Sequence, residues 1–447
     1  MNIATIVKNK HLQSLAGNLL PALLGLLSFM LLARGLSKSD FGSWALYLSS
    51  FTLLEMIKSG GVQTALVMRI SGKEESEKNK TIGAAWKLIT LISLTGGVLL
   101  FVISFFRQTN WNQGLVSFLY WYPLVGFITI PFNLSQAILQ SEHRFDRLLL
   151  LRFINSIGLL VISGVVFFYH ISLQDVIVGH ALLQLVCCAF LIVSGWAKLY
   201  TISLASWRRV KELFRLGKYS FGTLAATNML KSADTFLIGA FMGPAAVGLY
   251  SIPLRLVEVL EIPLRSAVGT AFPRFSSLYN LGDKQELRVL FYQYAGVVSW
   301  LFIPVLAGCF VMADHLVVWL GGEAYASSAS IFRVFLCYGL FLPMDRFSGV
   351  LLDALQKPAL NLTKVLVMAI FNILGDIVAL YFFHDLHVVA FVSVCNAAIG
   401  ILLGFYLSRR FIYVRISDTV CRGWVIIKST VLKYIQPVQK EGPAWHK

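Results

Sequence analysis

The chain is 447 residues long, with 57% hydrophobic and only 13% charged residues, and its mean hydropathy is +0.73. That balance excludes a soluble globular domain and points to several membrane spans. The net charge of +16 does not mark a nucleic-acid partner, because no basic run with interleaved aromatic residues stands outside the apolar segments. Cys187, Cys188, Cys309, Cys337, Cys395 and Cys421 form no CxxC pair, and five of them lie in apolar runs, so neither a disulfide framework nor a cysteine metal site is expected. The eight histidines show no HExxH spacing and no GK[ST] phosphate loop occurs, so no metal, no ATP hydrolysis by this chain and no cofactor are expected.

Lys8, Lys10 and His11 precede an apolar run too long for a signal peptide and followed at once by another, which reads as an uncleaved first span. Apolar segments of about 20 residues can cross ~30 Å of hydrocarbon as helices. Twelve are predicted, at 12–33, 41–66, 83–106, 115–140, 149–168, 174–196, 213–241, 246–271, 289–313, 327–354, 359–382 and 387–408. The fold class is therefore an all-α membrane protein with twelve transmembrane helices. One alternate set of connections, with both ends of the chain, holds 28 Lys and Arg; the other holds Arg34, Lys38 and Arg107, and seven more lie within spans. Basic loops stay cytoplasmic, so both termini are placed in the cytoplasm.

Residues 201–218, TISLASWRRVKELFRLGK, mix Leu204, Trp207, Val210, Leu213 and Phe214 with six charges at helical spacing. They predict an interfacial helix joining two six-span halves. The expected organisation is an N-terminal lobe over 1–200, an amphipathic linker over 201–212, a C-terminal lobe over 213–411 and a cytoplasmic tail over 412–447. In that tail Trp424 stands among Arg415, Arg422 and Lys428, which fits a second interfacial helix or a solvated basic flank. An offset of 206 residues lays 31–57 over 237–263, matching Leu31 with Leu237, Gly42 with Gly248 and Glu55 with Glu261. The offset equals about six spans, an even number, so the two six-helix lobes are expected to be parallel repeats, a known transporter plan.

The stretch from Met229 to Arg265 is apolar enough to sit in a bilayer, yet it carries Lys231, Asp234, Arg255, Glu258, Glu261 and Arg265. Ionisable groups at such depth cost at least ~2.5 kcal/mol each and normally face a protein interior or a watery cavity. The Gly243-Pro244 break divides the stretch between two helices. On the second, Arg255, Glu258, Glu261 and Arg265 fall within an arc of about 120°.

LLARGLSKSDFG, ADTFLIGAFMGPAAVGLYSIPLRL, FPRFSSLYNLGDKQEL, WLGGEAYASSASIFRV and LLDALQKPALNLTKVLVMAIFNILGDIVAL, in this order over about 1–411, together resemble the bacterial O-antigen and capsule repeat-unit flippases. These form the oligosaccharide-lipid branch of the multidrug/oligosaccharidyl-lipid/polysaccharide exporter superfamily. The resemblance implies a V-shaped, two-lobed transporter with a central cavity. It implies movement of an undecaprenyl-pyrophosphate-linked oligosaccharide from the cytoplasmic to the periplasmic leaflet of the inner membrane, by alternating access. The polysaccharide polymerase and chain-length regulator are then the expected protein partners, with no nucleic acid. The Arg255–Glu258 motif is similar to an Arg-x-x-Glu that lines the cavity of lipid II flippases, and Asp40 matches an acidic residue between their first two spans.

The expected substrate-binding cations are Arg255, Arg265, Lys231, Arg346 and Lys58, because a guanidinium offers a bidentate fork to phosphate. Glu258, Glu261, Asp234, Glu55, Asp353 and Asp40 are expected to pair with those cations or to titrate with a coupling ion. Glu55/Lys58, Lys231/Asp234, Arg255/Glu258 and Glu261/Arg265 stand at pairing distance on their own helices, so a purely structural role stays open for each. Arg346 and Asp353 share a face of the tenth span. Two other functions stay open as well. A drug or cation antiporter would lean on aromatic and acidic residues, and a membrane glycan polymerase would display a large periplasmic loop.

Overall fold

The computed structural model describes residues 10–70, 74–106, 111–142 and 144–435, except the side chains of residues 10–19, 68, 218–223, 225–227, 230, 231 and 430–435. Every regular element among the described residues is helical. In chain order they are α1 (Lys10–Gly35), α2 (Lys38–Ile70), α3 (Glu75–Phe105), α4 (Gln113–Ile128), α5 (Ile130–Ser141), α6 (Phe145–Tyr169), α7 (Leu173–Val193), α8 (Trp207–Phe241), α9 (Pro244–Asn280), α10 (Lys284–Val311), α11 (Ala313–Gly321), α12 (Ala329–Ala354), α13 (Pro358–Val378), α14 (Leu386–Ser408) and α15 (Ile416–Ile435). Seven helical stretches are long and apolar enough to cross a membrane by themselves, and an eighth forms if α4 and α5, bent by 46° to one another, count as one span. The bend has a local cause: Pro131 sits in the first turn of α5, where its missing N–H and fixed φ suit a new helix start better than a continued one. α2 and α9 are longer than a bilayer needs, but Glu55 and Lys58, and then Arg255, Glu258, Glu261 and Arg265, dilute the apolarity of their middles.

The described residues divide into two compact units. Unit one holds the chain up to Ile252 together with 317–328 and 373–389; unit two holds 253–316, 329–372 and the chain from 390 onward. The chain passes from one to the other inside α9, at Pro253, the first proline beyond that helix's opening turn. In unit one, Leu66, Ile82, Ile89, Leu134, Ile138, Leu151, Leu191 and Leu213 pack into a buried core drawn from six helices. Trp86 Nε1 donates to Ala197 O at 3.0 Å and ties the linker to it. Lys198 reaches Glu142 at 2.7 Å and Glu75 at 3.4 Å. Partial burial tends to lower the pKa of this ammonium, but the hydrogen bond and charge of Glu142, with Glu75, outweigh it and hold it above its usual range.

The start of α2 meets the start of α9 with no room for a side chain. A Cβ at Gly42 would lie 1.7 Å from Pro244 O, and one at Gly248 would lie 2.7 Å from Lys38 O. These are the two glycines that the internal repeat superimposes. Arg34 Nη2 donates to Trp319 O at 2.6 Å, placing a cation at the carboxyl end of α11, where it satisfies a terminal carbonyl.

Two segments differ from expectation. Residues 201–218 do not form a helix of their own: a 3-10 turn over Leu199–Leu204 leads into α8, which runs unbroken from Trp207 to Phe241 because nothing between them interrupts it. Of the tail, the described helix α15 is packed against its neighbour in unit two. α15 docks along α10 within unit two, where Trp300 Nε1 donates to Val420 O at 2.9 Å, the Trp300 and Trp424 rings lie 4.7 Å apart, and a Cβ at Gly296 would lie 2.3 Å from Thr419 O. Arg422 stacks over the Tyr292 ring at 4.9 Å, a packed use for a cation that the sequence counts only as a basic flank.

Candidate functional site

In unit one the ionisable pair of α2 is enclosed. Lys58 Nζ lies 2.5 Å from Glu55 Oε1 and also donates to Gly126 O at 2.7 Å and Thr129 Oγ1 at 2.9 Å, which uses all three of its donors. Glu55 accepts in addition from Tyr122 Oη at 3.0 Å, Thr129 Oγ1 at 2.9 Å and Asn133 Nδ2 at 2.6 Å. Four of these partners come from α4, α5 and the bend between them. The break in the helix thus builds a polar socket against a charged pair that its own three-residue spacing brings together.

A second buried polar group of unit one joins α8, α9 and α13. Tyr250 Oη donates to Asp234 Oδ2 at 2.6 Å, and the Asp376 carboxyl stands beside that of Asp234. Lys231, expected beside Asp234, lies outside the described side chains. Asp40 sits in the cap of α2: Ser37 Oγ accepts from Asp40 N–H at 3.1 Å and donates to its carboxylate at 2.7 Å.

Unit two holds the arginines. Arg255 Nη1 lies 2.6 Å from Glu258 Oε2, Arg265 Nη2 lies 3.2 Å from Glu261 Oε2, and Arg346 Nη2 reaches across from α12 to Glu261 Oε1 at 3.4 Å. Glu261 is thus clamped between two guanidiniums. Three guanidiniums against two carboxylates leave this cluster with one net positive charge. Exposure separates it from the pair in unit one: the side chains of Lys58 and Glu55 are 4% and 12% exposed, whereas those of Arg255, Arg346 and Arg265 are 31%, 39% and 60% exposed. Asp353 is not drawn into the cluster; it accepts from Asn361 Nδ2 at 2.9 Å.

Sequence reasoning missed two polar centres. Lys364, counted among the loop cations, is buried in α13, where its Nζ lies 2.6 Å from Asp345 Oδ1 and donates to Ser348 Oγ at 3.0 Å. The apolar run that follows it, VLVMAIF, was the available signal. His180 is buried in α7, with Tyr47 Oη 3.3 Å from Nδ1 and Gln184 Nε2 3.3 Å from Nε2, and the Trp44, Tyr47 and Phe51 rings stand edge-on around it. Among the described residues no group of three or more His, Cys, Asp and Glu side chains is placed to hold a metal ion.

Comparison with known proteins adds three findings. The model of a family described as polysaccharide biosynthesis protein matches residues 31–330. The chain is 23% identical to a putative O-antigen transporter of Shigella flexneri over 77% of its own length and 84% of that protein. It is 22% identical to the lipopolysaccharide biosynthesis protein WzxC of Escherichia coli strain K12 over 91% and 77% of the two chains. Among solved structures it resembles the lipid II flippase MurJ in an inward closed conformation, with a TM-score of 0.73 at 15% identity over 95% of this chain and 93% of that one. An inward-facing multidrug resistance MATE transporter matches with a TM-score of 0.74 at 13% identity, over 93% and 96% of the two chains. The chain therefore has the all-helical, multi-pass membrane fold of these transporters.

Proposed function

Since this chain belongs to the polysaccharide biosynthesis protein family, we propose that it is a flippase that carries an undecaprenyl-pyrophosphate-linked oligosaccharide from the cytoplasmic to the periplasmic leaflet of the bacterial inner membrane. It is a transporter and catalyses no covalent step. The observation that carries this reading is the part-exposed cluster of Arg255, Arg265 and Arg346 around Glu258 and Glu261. A diphosphate suits such a cluster because each guanidinium can exchange its single carboxylate contact for two parallel hydrogen bonds to phosphate oxygens. Glu261 then serves as the anchor that orients Arg265 and Arg346 toward the ligand. Lys231 is a secondary member of the proposed cationic set, while Lys58, with its three donors in use, keeps a structural role. Glu55, Asp234, Asp353 and Asp40 hold partners in place or titrate with a coupling ion. Transport proceeds by alternating access of two six-helix lobes, with both termini cytoplasmic, and the product passes to the polysaccharide polymerase and its chain-length regulator.

The printed names of the Shigella flexneri and Escherichia coli relatives support the polysaccharide pathway, and the fold shared with a lipid II flippase supports a lipid-linked cargo. The geometry also selects the test. Because Arg346 reaches Glu261 as well, Arg265→Gln leaves that glutamate paired, so the variant should fold and insert normally. In a deletion strain complemented with it, surface polysaccharide should fall sharply at an unchanged level of protein in the membrane. Arg255→Lys should also be impaired, since an ammonium cannot reproduce a bidentate contact. Full polysaccharide from both variants would move the head-group site away from this cluster. Cysteines placed at Ser172 and Asn112 should label from the periplasm, and those at Ser141 and Asp283 from the cytoplasm; labelling of Asn112 and Ser141 from one side would refute the topology.

A further inference from the structure

Unit one holds a polar region for which a diphosphate has no use. α2, α5, α6 and α7 wall a cleft with about 420 Å³ of free space, within the ~300–1,000 Å³ typical of small-molecule sites. Half of its polar lining is neutral amide, from Gln63, Asn133, Gln136, Asn155 and Gln184, the rest being three hydroxyls, the Glu55 carboxyl and the His180 ring, with the Phe132 ring beside them. The described lining includes no Lys or Arg. Its one carboxylate, Glu55, is already engaged by Lys58, Tyr122, Thr129 and Asn133.

The protein uses these amides only in part. Gln63 Nε2 donates to Asn133 O at 3.2 Å, Gln136 Oε1 accepts from Arg152 Nε at 3.4 Å, and Asn155 Oδ1 accepts from Gln184 Nε2 at 3.3 Å. Among the described residues no hydrogen bond occupies Gln63 Oε1, Gln136 Nε2 or Asn155 Nδ2, which leaves one acceptor and two donors on three different helices available to a guest. Neutral donors and acceptors interspersed in this way match hydroxyl groups, each of which both donates and accepts. An apolar ring such as Phe132 offers a flat face to the C–H side of a pyranose. An anionic sugar would meet the Glu55 carboxylate with no uncommitted cation among the lining residues, so an uncharged one is favoured.

We propose that this cleft is a saccharide subsite that takes an uncharged, hydroxyl-rich sugar of the transported oligosaccharide, an inference that rests on the lipid-linked oligosaccharide reading above. The probe is the cell's own saccharide, released by mild acid from the lipid-linked units that accumulate in a strain lacking this protein. Its binding to the purified full-length chain is measured beside that of inorganic pyrophosphate. Asn155→Leu and Gln136→Met keep side-chain volume and remove the donors. Each should weaken saccharide binding about tenfold, the effect of one lost hydrogen bond that leaves a buried partner unsatisfied, with pyrophosphate binding unchanged. Arg265→Gln should do the reverse. Unchanged saccharide affinity in both variants, or a wild-type chain that binds pyrophosphate and not the saccharide, overturns the subsite and leaves the transport reading standing. A strain that accumulates no lipid-linked saccharide overturns the transport reading, and the subsite falls with it.

Discussion

Glu55–Lys58 in unit one and Arg255–Glu258 in unit two are alike as sequence: opposite charges three residues apart on a long, otherwise apolar helix. Their surroundings are opposite. The first pair is sealed in a socket of hydroxyl, amide and carbonyl groups supplied by α4 and α5, with every lysine donor in use. The second stands half in the open, near a glutamate already clamped by two further arginines. Spacing along a helix decides which charges pair. Only the helices packed against it decide whether a pair is left for a ligand. A sealed pair contributes structure, because withdrawing either member strands a buried charge; a part-exposed one can exchange partners at little cost.

The sharpest way to break this contrast is to remove one member of the sealed pair. Lys58→Met should cost about 3–5 kcal/mol by stranding Glu55, and the protein should fail to accumulate in the membrane. Adding Glu55→Gln to that variant should restore much of the level, read by immunoblot. A Lys58→Met chain present at normal level would show that the pair is not sealed. In unit two, Arg265→Gln should instead leave protein level unchanged and lower surface polysaccharide about tenfold or more, the effect of one charged hydrogen bond of ~1.5–3 kcal/mol.

Asp234 and Asp376 offer a finer test, since the two carboxyls stand beside each other in unit one. Asp376→Asn puts an amide donor beside Asp234 and should change the melting temperature little. Asp376→Leu deprives Asp234 of a polar neighbour and should cost about 1–3 kcal/mol, lowering the melting temperature of the detergent-solubilised chain. The smallest effect belongs to the cap of α2: Ser37→Ala should cost about 1 kcal/mol of stability, with transport per molecule unchanged. A loss of transport per molecule there would give Asp40 a role beyond the cap.

Much of this was legible in the sequence. The apolar runs announce a multi-pass helical protein, and the i,i+3 and i,i+4 spacings of Glu55/Lys58, Arg255/Glu258 and Glu261/Arg265 bring together groups that do meet in space. What stayed hidden depends on partners distant along the chain. Glu261 gains Arg346 from 85 residues away, and Lys364 finds Asp345 across a helix–helix contact that no periodicity encodes. The amides of the unit-one cleft belong to four separate helices, and each alone is an unremarked polar residue in an apolar run. Residues 201–218 misled for a different reason: amphipathic spacing at a helix start looks the same whether the helix stops at the interface or continues into α8.

The meeting of Gly42 with the start of α9 has a use at the bench. An alanine there must push two helix ends apart or shift a backbone carbonyl, since the added methyl would lie on Pro244 O, and overpacking of this kind commonly costs about 1–3 kcal/mol. That is a substantial fraction of the stability margin of most folded chains. Gly42→Ala is thus a natural choice for a conditional allele, producing surface polysaccharide in the cold and losing it on warming. A strain carrying it would allow glycan export to be switched off within one culture, without touching any residue assigned here to cargo.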